Sequence, residues 1–417
     1  MKILAPLITL LCIALFAHGA EPTESREWKA KSGHTVEAKA LAYADGKVQL
    51  EKTDGKKVAV PLDTFAEEDQ DILRSHFGIH DPSAGPPPPA EGETADDLGH
   101  PLGQPVADIA CGGDFHYHLY LPKSLRKGAK HPVLFVMSPG GGGPRGLKRY
   151  QQGAERNRWI LALSKESKNG FNGSQDAINA MIKHVTESLP IDEDRMYTTG
   201  FSGGSRMAFS TSQVHKDIAG VIACGAGGDI GSSKQVVYGL CGSNCFNRTD
   251  MAAAARGYKS KDCVLRYFPG QHVWANDELC DDAITHLNGV FLIKNQSRYP
   301  DEFAHYTHEV AKLYKESKEQ NPHRAFMWTS FLIDRDVKAP DLEDIHDELE
   351  NDPANKLYLE GFKEIGELAK KHLGDNPASE WKAQPKASAA FEKEAEKYIG
   401  SPWQEVLTRL ANDAQKF

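Results

Sequence analysis

Between residues 115 and 270 the chain carries seven short apolar runs separated by polar or helix-length stretches. They read "FHYHLYLP", "HPVLFVMSP", "RWILALS", "RMYTTGF", "AGVIACGAG", "QVVYGLCG" and "CVLRYFPG". A strand with one wet face alternates apolar and polar residues. Runs that are apolar throughout belong instead to a sheet covered on both faces. Helices are expected between and after them at Ser174 to Leu189, Gly203 to Val214 and Asp277 to Leu292. This alternation predicts an α/β sheet with right-handed crossovers and helices on both faces.

The fourth run leads into Gly200-Phe201-Ser202-Gly203-Gly204, a G-x-S-x-G pattern. Alone the pattern is weak, because glycine and serine are common. Its setting, after an expected strand and before an expected helix, is what a nucleophile elbow requires. Gly200 and Gly204 allow close packing around the turn, and Gly203 offers a backbone N–H toward a developing oxyanion. A serine nucleophile needs a base, and "VLRYFPGQHVWAN" places His272 just after the last expected strand. A second oxyanion donor is expected in the loop "VLFVMSPGGGGPRG", from Gly140 or Gly141, since Pro139 has no N–H. No Gly-Lys-Ser/Thr follows those glycines, so they are not a phosphate-binding loop.

Taken together, "FHYHLYLPKSL", "HPVLFVMSPGGGG", "GFSGGSRMAF", "VYGLCGSNCFNRTDM" and "FPGQHVW" resemble the α/β-hydrolase family, in particular secreted esterases related to feruloyl esterases, polyhydroxybutyrate depolymerases and dienelactone hydrolases. The resemblance spans roughly Asp108 to Lys294 and implies a triad acid after "VVYGLCG", usually within G-x-x-D-F-N. Here Gly242-Ser243-Asn244-Cys245-Phe246-Asn247 puts Cys245 in the expected aspartate position. The oxyanion loop, Ser138-Pro139-Gly140-Gly141, also departs from the family's His-Gly-Gly-Gly. Asp250 on the same loop and Asp229 after the preceding strand are the candidate acids. Asp277 reads as a helix cap, and Asn244 is a candidate orienter through its amide oxygen.

Outside that region the chain changes character. Lys2, an apolar run from Ile3 to Phe16 and the small residues of Ala17-His18-Gly19-Ala20 read as a secretory signal peptide over residues 1–20, too short to span a bilayer. The expected location is secreted or periplasmic. In that oxidising setting the six later cysteines suggest disulfides, with Cys245 pairing with Cys280 or Cys241, or Cys263 with Cys280. Residues 24–78 alternate short apolar positions with Ser32-Gly33, Asp45-Gly46 and Asp54-Gly55 turns, which predicts a small antiparallel β-barrel. "SGHTVEAKAL", "DGKVQLEKTDGKKVAVPLDTF" and "EEDQDIL" resemble the SLA homology domain, an SH3-like barrel, and that resemblance implies a protein partner. A Pro-rich linker is expected over 79–107, the hydrolase domain over 108–294 and a charged helical region over 295–417.

The formal charge of −9 disfavours nucleic acid as a main partner. His116 with His118, and His305 with His308, have metal-like spacings but no third ligand, so neither a metal nor a cofactor is expected. The reading is a serine hydrolase of small or polysaccharide-linked carboxylic esters. Its rivals are a degenerate hydrolase fold retained for binding, and a peptidase on the same fold.

Overall fold

The computed structural model describes residues 22–77 except 45 and residues 98–353 except 243, 244 and 269. Of the remainder it describes 385–416 except 400 and 401, with scattered positions between 355 and 372. The expected signal peptide and the stretch from Asp81 to Asp97 lie outside the described residues. The chain divides into two compact units that part at residue 85.

The first unit is an antiparallel meander of β1 (Arg26–Lys29), β2 (Thr35–Ala44), β3 (Lys47–Lys52) and β4 (Lys57–Pro61), followed by helix α1 (Glu67–Phe77). The glycine turns sit where the sequence put them, with Gly33, Gly46 and Gly55 all at positive φ. A bridge between Ala30 and Phe65 brings the end of β1 against the chain beyond β4 and closes the barrel. Its core is Trp28, Ala38, Ala40, Val48, Leu50, Leu62, Phe65 and Leu73. The inward set alternates along β2 and β3 as period-two patterning requires. Asp69 on α1 fastens the helix to β1, accepting from Arg26 Nη2 at 2.8 Å and Lys29 N at 2.7 Å.

The second unit is built on one eight-stranded sheet. Its strands are β5 (Pro105–Ala110), β6 (His116–Tyr120), β7 (His131–Met137), β8 (Ile160–Ser164), β9 (Ile191–Phe201), β10 (Ile218–Cys224), β11 (Val236–Gly242) and β12 (Val264–Phe268). Their spatial order is β5-β6-β8-β7-β9-β10-β11-β12, parallel from β8 through β12, with β6 antiparallel to β5 and β8. This is the α/β-hydrolase architecture, a mostly parallel sheet with helices on both faces. All seven expected strands form. Every residue of β7, β8 and β11 is buried, as the unbroken apolar runs require. Along β7, Leu134 and Val136 face one core while Val133, Phe135 and Met137 face the other.

β5 escaped the sequence reading because it is an edge strand, mostly exposed and opened by a proline, with no apolar run to mark it. The sheet therefore starts at Pro105. Two helices were also missed, α2 (Lys148–Asn157) and α5 (Arg248–Gly257). The helices α3 (Ser174–Ser188), α4 (Gly203–Val214) and α6 (Asp277–Lys294) match the expected ones to within two residues. Cap assignment differs at α6: Asn276 is the N-cap and accepts from Leu279 N at 2.9 Å, so Asp277 is the first helical residue.

Beyond residue 295 the helices α7 (Pro300–Gln320), α8 (Pro322–Ile333) and α9 (Leu342–Asn351) share one apolar core with α6 and the sheet, through Tyr306, Val310, Tyr314, Trp328, Leu332 and Leu349 among others. Arg324 of α8 bridges two buried aspartates of α6, its Nε 2.8 Å from Asp282 and its Nη2 2.9 Å from Asp281. Arg266 Nη1 and Trp328 Nε1 complete the Asp282 carboxylate at 3.1 and 3.0 Å, and Arg156 reaches Asp281 from α2. Helices α10 (Pro385–Ala395) and α11 (Pro402–Lys416) hold a smaller core of Ala387, Phe391, Tyr398, Leu407, Leu410 and Ala411. The expected helix "LYLEGFKEIGELAKKHL" lies largely outside the described residues.

Candidate active site

The sheet delivers its chemistry at the carboxyl ends of β7, β9, β11 and β12, the edge where open α/β sheets bind ligands. β9 ends at Phe201, and α4 starts at Gly203. Ser202 between them takes φ 53° and ψ −118°, a conformation that costs a non-glycine residue about 1–3 kcal/mol. The turn is held from below by Ser202 N–H donating to Cys224 O at 2.8 Å. It can be this tight only because its flanks are bare. A Cβ on Gly200 would run into the Gly204 backbone, and one on Gly204 into the Met137 carbonyl. The result stands the Ser202 side chain at the N-terminus of α4, where the helix dipole favours negative charge.

His272 reaches the serine from the loop after β12. Ser202 Oγ and His272 Nε2 lie 2.9 Å apart. The loop is secured by Cys224, whose sulfur accepts from Ala275 N at 3.4 Å. Two aromatic rings bracket the imidazole, Phe201 with centroids at 4.6 Å and Phe246 at 4.0 Å. Phe246 is 74% exposed, so it forms an open apolar wall over the histidine.

The second ring nitrogen, Nδ1, lies 3.0 Å from Cys245 Sγ. Cys245 is buried at the end of β11, in the position where the α/β-hydrolase resemblance implies an aspartate. A hydrogen bond from the Cys241 thiol, with help from His272 and the Asn247 amide, pulls the Cys245 thiol down to about 5 against the opposing effect of burial. Cys241 is pushed up correspondingly by the same contact and by its own burial.

Neither candidate carboxylate contacts His272, whose two nitrogens face Ser202 and Cys245. Asp250 sits in the first turn of α5 and is taken by Arg206 at 3.2 Å and by Gly227 N–H at 3.3 Å. Asp229 is exposed, and its carbonyl accepts from Gln213 Nε2 at 2.7 Å. Asn244 lies outside the described residues.

Of the oxyanion candidates, Gly203 opens α4, so its N–H belongs to the helix's unpaired first turn. Gly140 faces open space, and its amide has no backbone acceptor among the described residues. Gly141 differs from expectation: at φ 76° it closes a turn, donating to Ser138 O at 3.0 Å. Sequence reasoning missed Asn169, which no motif marks. Its backbone N–H donates to Pro139 O at 2.9 Å, and its exposed carboxamide sits where a Cβ on Gly203 would collide with it.

The expected disulfides are not formed, and all six cysteines are free thiols. Cys263 precedes β12 and lies at the opposite end of the strands from the first turn of α6, which holds Cys280. His118 and His305 serve the fold: His118 bonds Gly142 O and Asp108 N, and His305 bonds Arg156 O. Among the described residues three potential metal ligands converge at His346, Asp347 and Glu350 of α9, partly or wholly exposed and within the charged helical region. A cavity of about 410 Å³ opens at the amino ends of β10 and β11, lined by Tyr197, Lys216, Gln235 and Lys294, and includes none of the site residues. No described helix is long and apolar enough to cross a membrane.

Residues 17–80 match the family model for SLA1 homology domain 1. No curated protein matches the chain. Among solved structures, a ferulic acid esterase is similar at 15% identity and a TM-score of 0.38, covering 44% of this chain and 97% of its own. FphF, a fluorophosphonate-binding serine hydrolase of Staphylococcus aureus, is similar at 12% identity and a TM-score of 0.37, covering 45% and 99%. Est1E from Butyrivibrio proteoclasticus is similar at 12% identity and a TM-score of 0.36, covering 46% and 99%. The chain thus carries a segment similar to SLA1 homology domain 1, and its second unit is built on a mostly parallel eight-stranded sheet with the α/β-hydrolase strand order.

Proposed function

We propose that the protein is an exported serine hydrolase of carboxylic esters, with Ser202 as nucleophile and His272 as base. The observation that carries this reading is the 2.9 Å contact between Ser202 Oγ and His272 Nε2 at a strained strand-to-helix turn. Ser202 attacks the ester carbonyl while Nε2 takes its proton. The imidazolium then returns that proton to the leaving alcohol. The N–H groups of Gly203 and Gly140 supply the oxyanion donors. Water, activated by the same imidazole, releases the acid from Ser202. The open Phe246 wall favours an ester with an apolar or aromatic acyl part. Export rests on the N-terminal apolar run from Ile3 to Phe16, and a protein partner is assigned to residues 24–78 through the SLA1 homology domain.

The binding-only alternative rested on the lack of an acid beside His272, and no described carboxylate reaches that ring. The test is hydrolysis of p-nitrophenyl acetate and butyrate by the chain and by Ser202→Ala. Wild-type turnover that falls by at least about a thousandfold in the variant supports the reading. Equal background rates on these and on feruloyl esters would overturn it in favour of the binding role.

A further inference from the structure

We propose that Cys245, as a thiolate, is the positioning residue of a Ser202–His272–Cys245 relay, filling the place that a carboxylate holds in a Ser-His-Asp triad. The inference deepens the ester-hydrolase reading and rests on it for the kinetic consequence, though not for the state of the thiol.

Geometry carries the argument. The imidazole is held at both nitrogens, with Ser202 Oγ at 2.9 Å and Cys245 Sγ at 3.0 Å, so the three groups lie in series. For Nε2 to accept the serine proton, the ring's own proton must be on Nδ1, and Nδ1–H then needs an acceptor. Among the described residues Cys245 Sγ is the acceptor placed there. Cys245 is buried at 3% exposure, which shuts it away from substrate, whereas Ser202 stands at the helix N-terminus beside the candidate oxyanion donors. That division separates an orienter from a nucleophile.

The sulfur is also equipped to be an anion. The groups that face it are the Cys241 thiol, the His272 ring, the Asn247 backbone amide, the Gly225 carbonyl at 3.8 Å and, farther off, the Cys224 thiol. The first three favour the charged form and pull the thiol down from its ordinary value, which supports a resting pair of S⁻···H–Nδ1. The proton balance follows directly. In the resting state Nδ1 carries the one ring proton. As Ser202 attacks, its proton moves to Nε2, and the imidazolium that results lies against a fixed negative charge, which lowers the cost of forming it. The thiolate gains no proton and forms no bond to substrate.

The experiment compares the full chain with its Cys245→Ala, Cys245→Ser and Cys245→Asp variants, each checked for folding by thermal melting. On the ester that wild type hydrolyses, Cys245→Ala should lose about a thousandfold in kcat with little change in KM. Cys245→Asp should stay within about tenfold of wild type, because a carboxylate restores the anion, and Cys245→Ser should fall between them. Wild-type kcat in a folded Cys245→Ala, or a covalent acyl adduct on the Cys245 peptide, would overturn the assignment. A second readout does not depend on turnover: thiolate absorbance followed from about pH 4 to about pH 9, wild type minus Cys245→Ala. The expected step lies below the ordinary thiol value and moves upward in His272→Ala. A step at the ordinary thiol value, unmoved by loss of His272, would overturn the relay even if esterase activity holds. A low step in a chain without ester turnover would instead retain the thiolate–imidazole pair and sink the substrate assignment alone.

Discussion

Ser202 sits in a backbone conformation that only its glycine neighbours permit, and those neighbours are not equivalent. A methyl on Gly204 would meet the Met137 carbonyl, part of the rigid sheet, whereas a methyl on Gly203 would meet the exposed Asn169 carboxamide, which can swing away. Gly204→Ala should therefore cost about 1–3 kcal/mol or more, and Gly203→Ala should melt close to wild type. Parallel thermal melts check this, and equal losses in the two variants would contradict the packing account. At this scale the meeting of Ser202 and His272 was legible in the sequence, because glycine spacing and chain order are local signals. The contact of Cys245 with His272 was not. Its position was recognisable, but cysteines in a chain expected to be exported read first as disulfide partners, and only the packing of the ends of β11 and β12 shows its sulfur against Nδ1. The same packing leaves Asp250 to Arg206, a contact between α4 and α5 that no sequence spacing announces.

Among elements, α6 joins the sheet to the helices beyond it. Its Asp281 and Asp282 are buried and neutralised by Arg324, Arg266 and Arg156 from three other elements. Breaking such a pair strands a charge in a dry core, at a cost of about 3–5 kcal/mol. Arg324→Met should destabilise the second unit by that amount in denaturant titration. Pairing it with Asp282→Leu should recover part of the loss, and a loss under about 1 kcal/mol for Arg324→Met alone would show the network to be idle. The strands and the three long helices around the site were readable because each buries a continuous apolar face. β5, α2 and α5 were not. β5 exposes most of its residues, and α2, "KRYQQGAERN", buries only Tyr150, Gly153, Ala154 and Asn157 against its neighbours. The sequence break at residue 295 was equally deceptive: charge on the outer faces of α7 and α9 masked an inner face continuous with the sheet's core.

For the molecule as a whole, four of the described histidines make the second unit sensitive to acid, His131 and His286 buried and His305 and His323 partly buried, with His323 lowered to about 4 by desolvation. Burial pulls His131 and His286 down to about 4 and His305 to about 3, and each bonds a backbone carbonyl through Nε2, at 3.2, 2.8 and 2.9 Å. Unfolded, each titrates near 6.5. Below that value the unfolded chain takes up protons that the folded chain refuses. Stability therefore falls as pH drops through 6.5 and levels off only below the folded values. Between pH 7 and pH 5 the loss is about 2 kcal/mol for each histidine. Calorimetry at the two pH values should show a clear fall in Tm of the second unit, and an unchanged Tm would contradict the burial of these rings as neutral groups. The central claim, a Ser202 nucleophile driven by His272, is tested most directly by intact-mass and peptide analysis after exposure to a fluorophosphonate. The account predicts one covalent phosphonyl group, on the Ser202 peptide, formed at least about a hundredfold more slowly in His272→Ala. No adduct, or one seated on another residue, would contradict it.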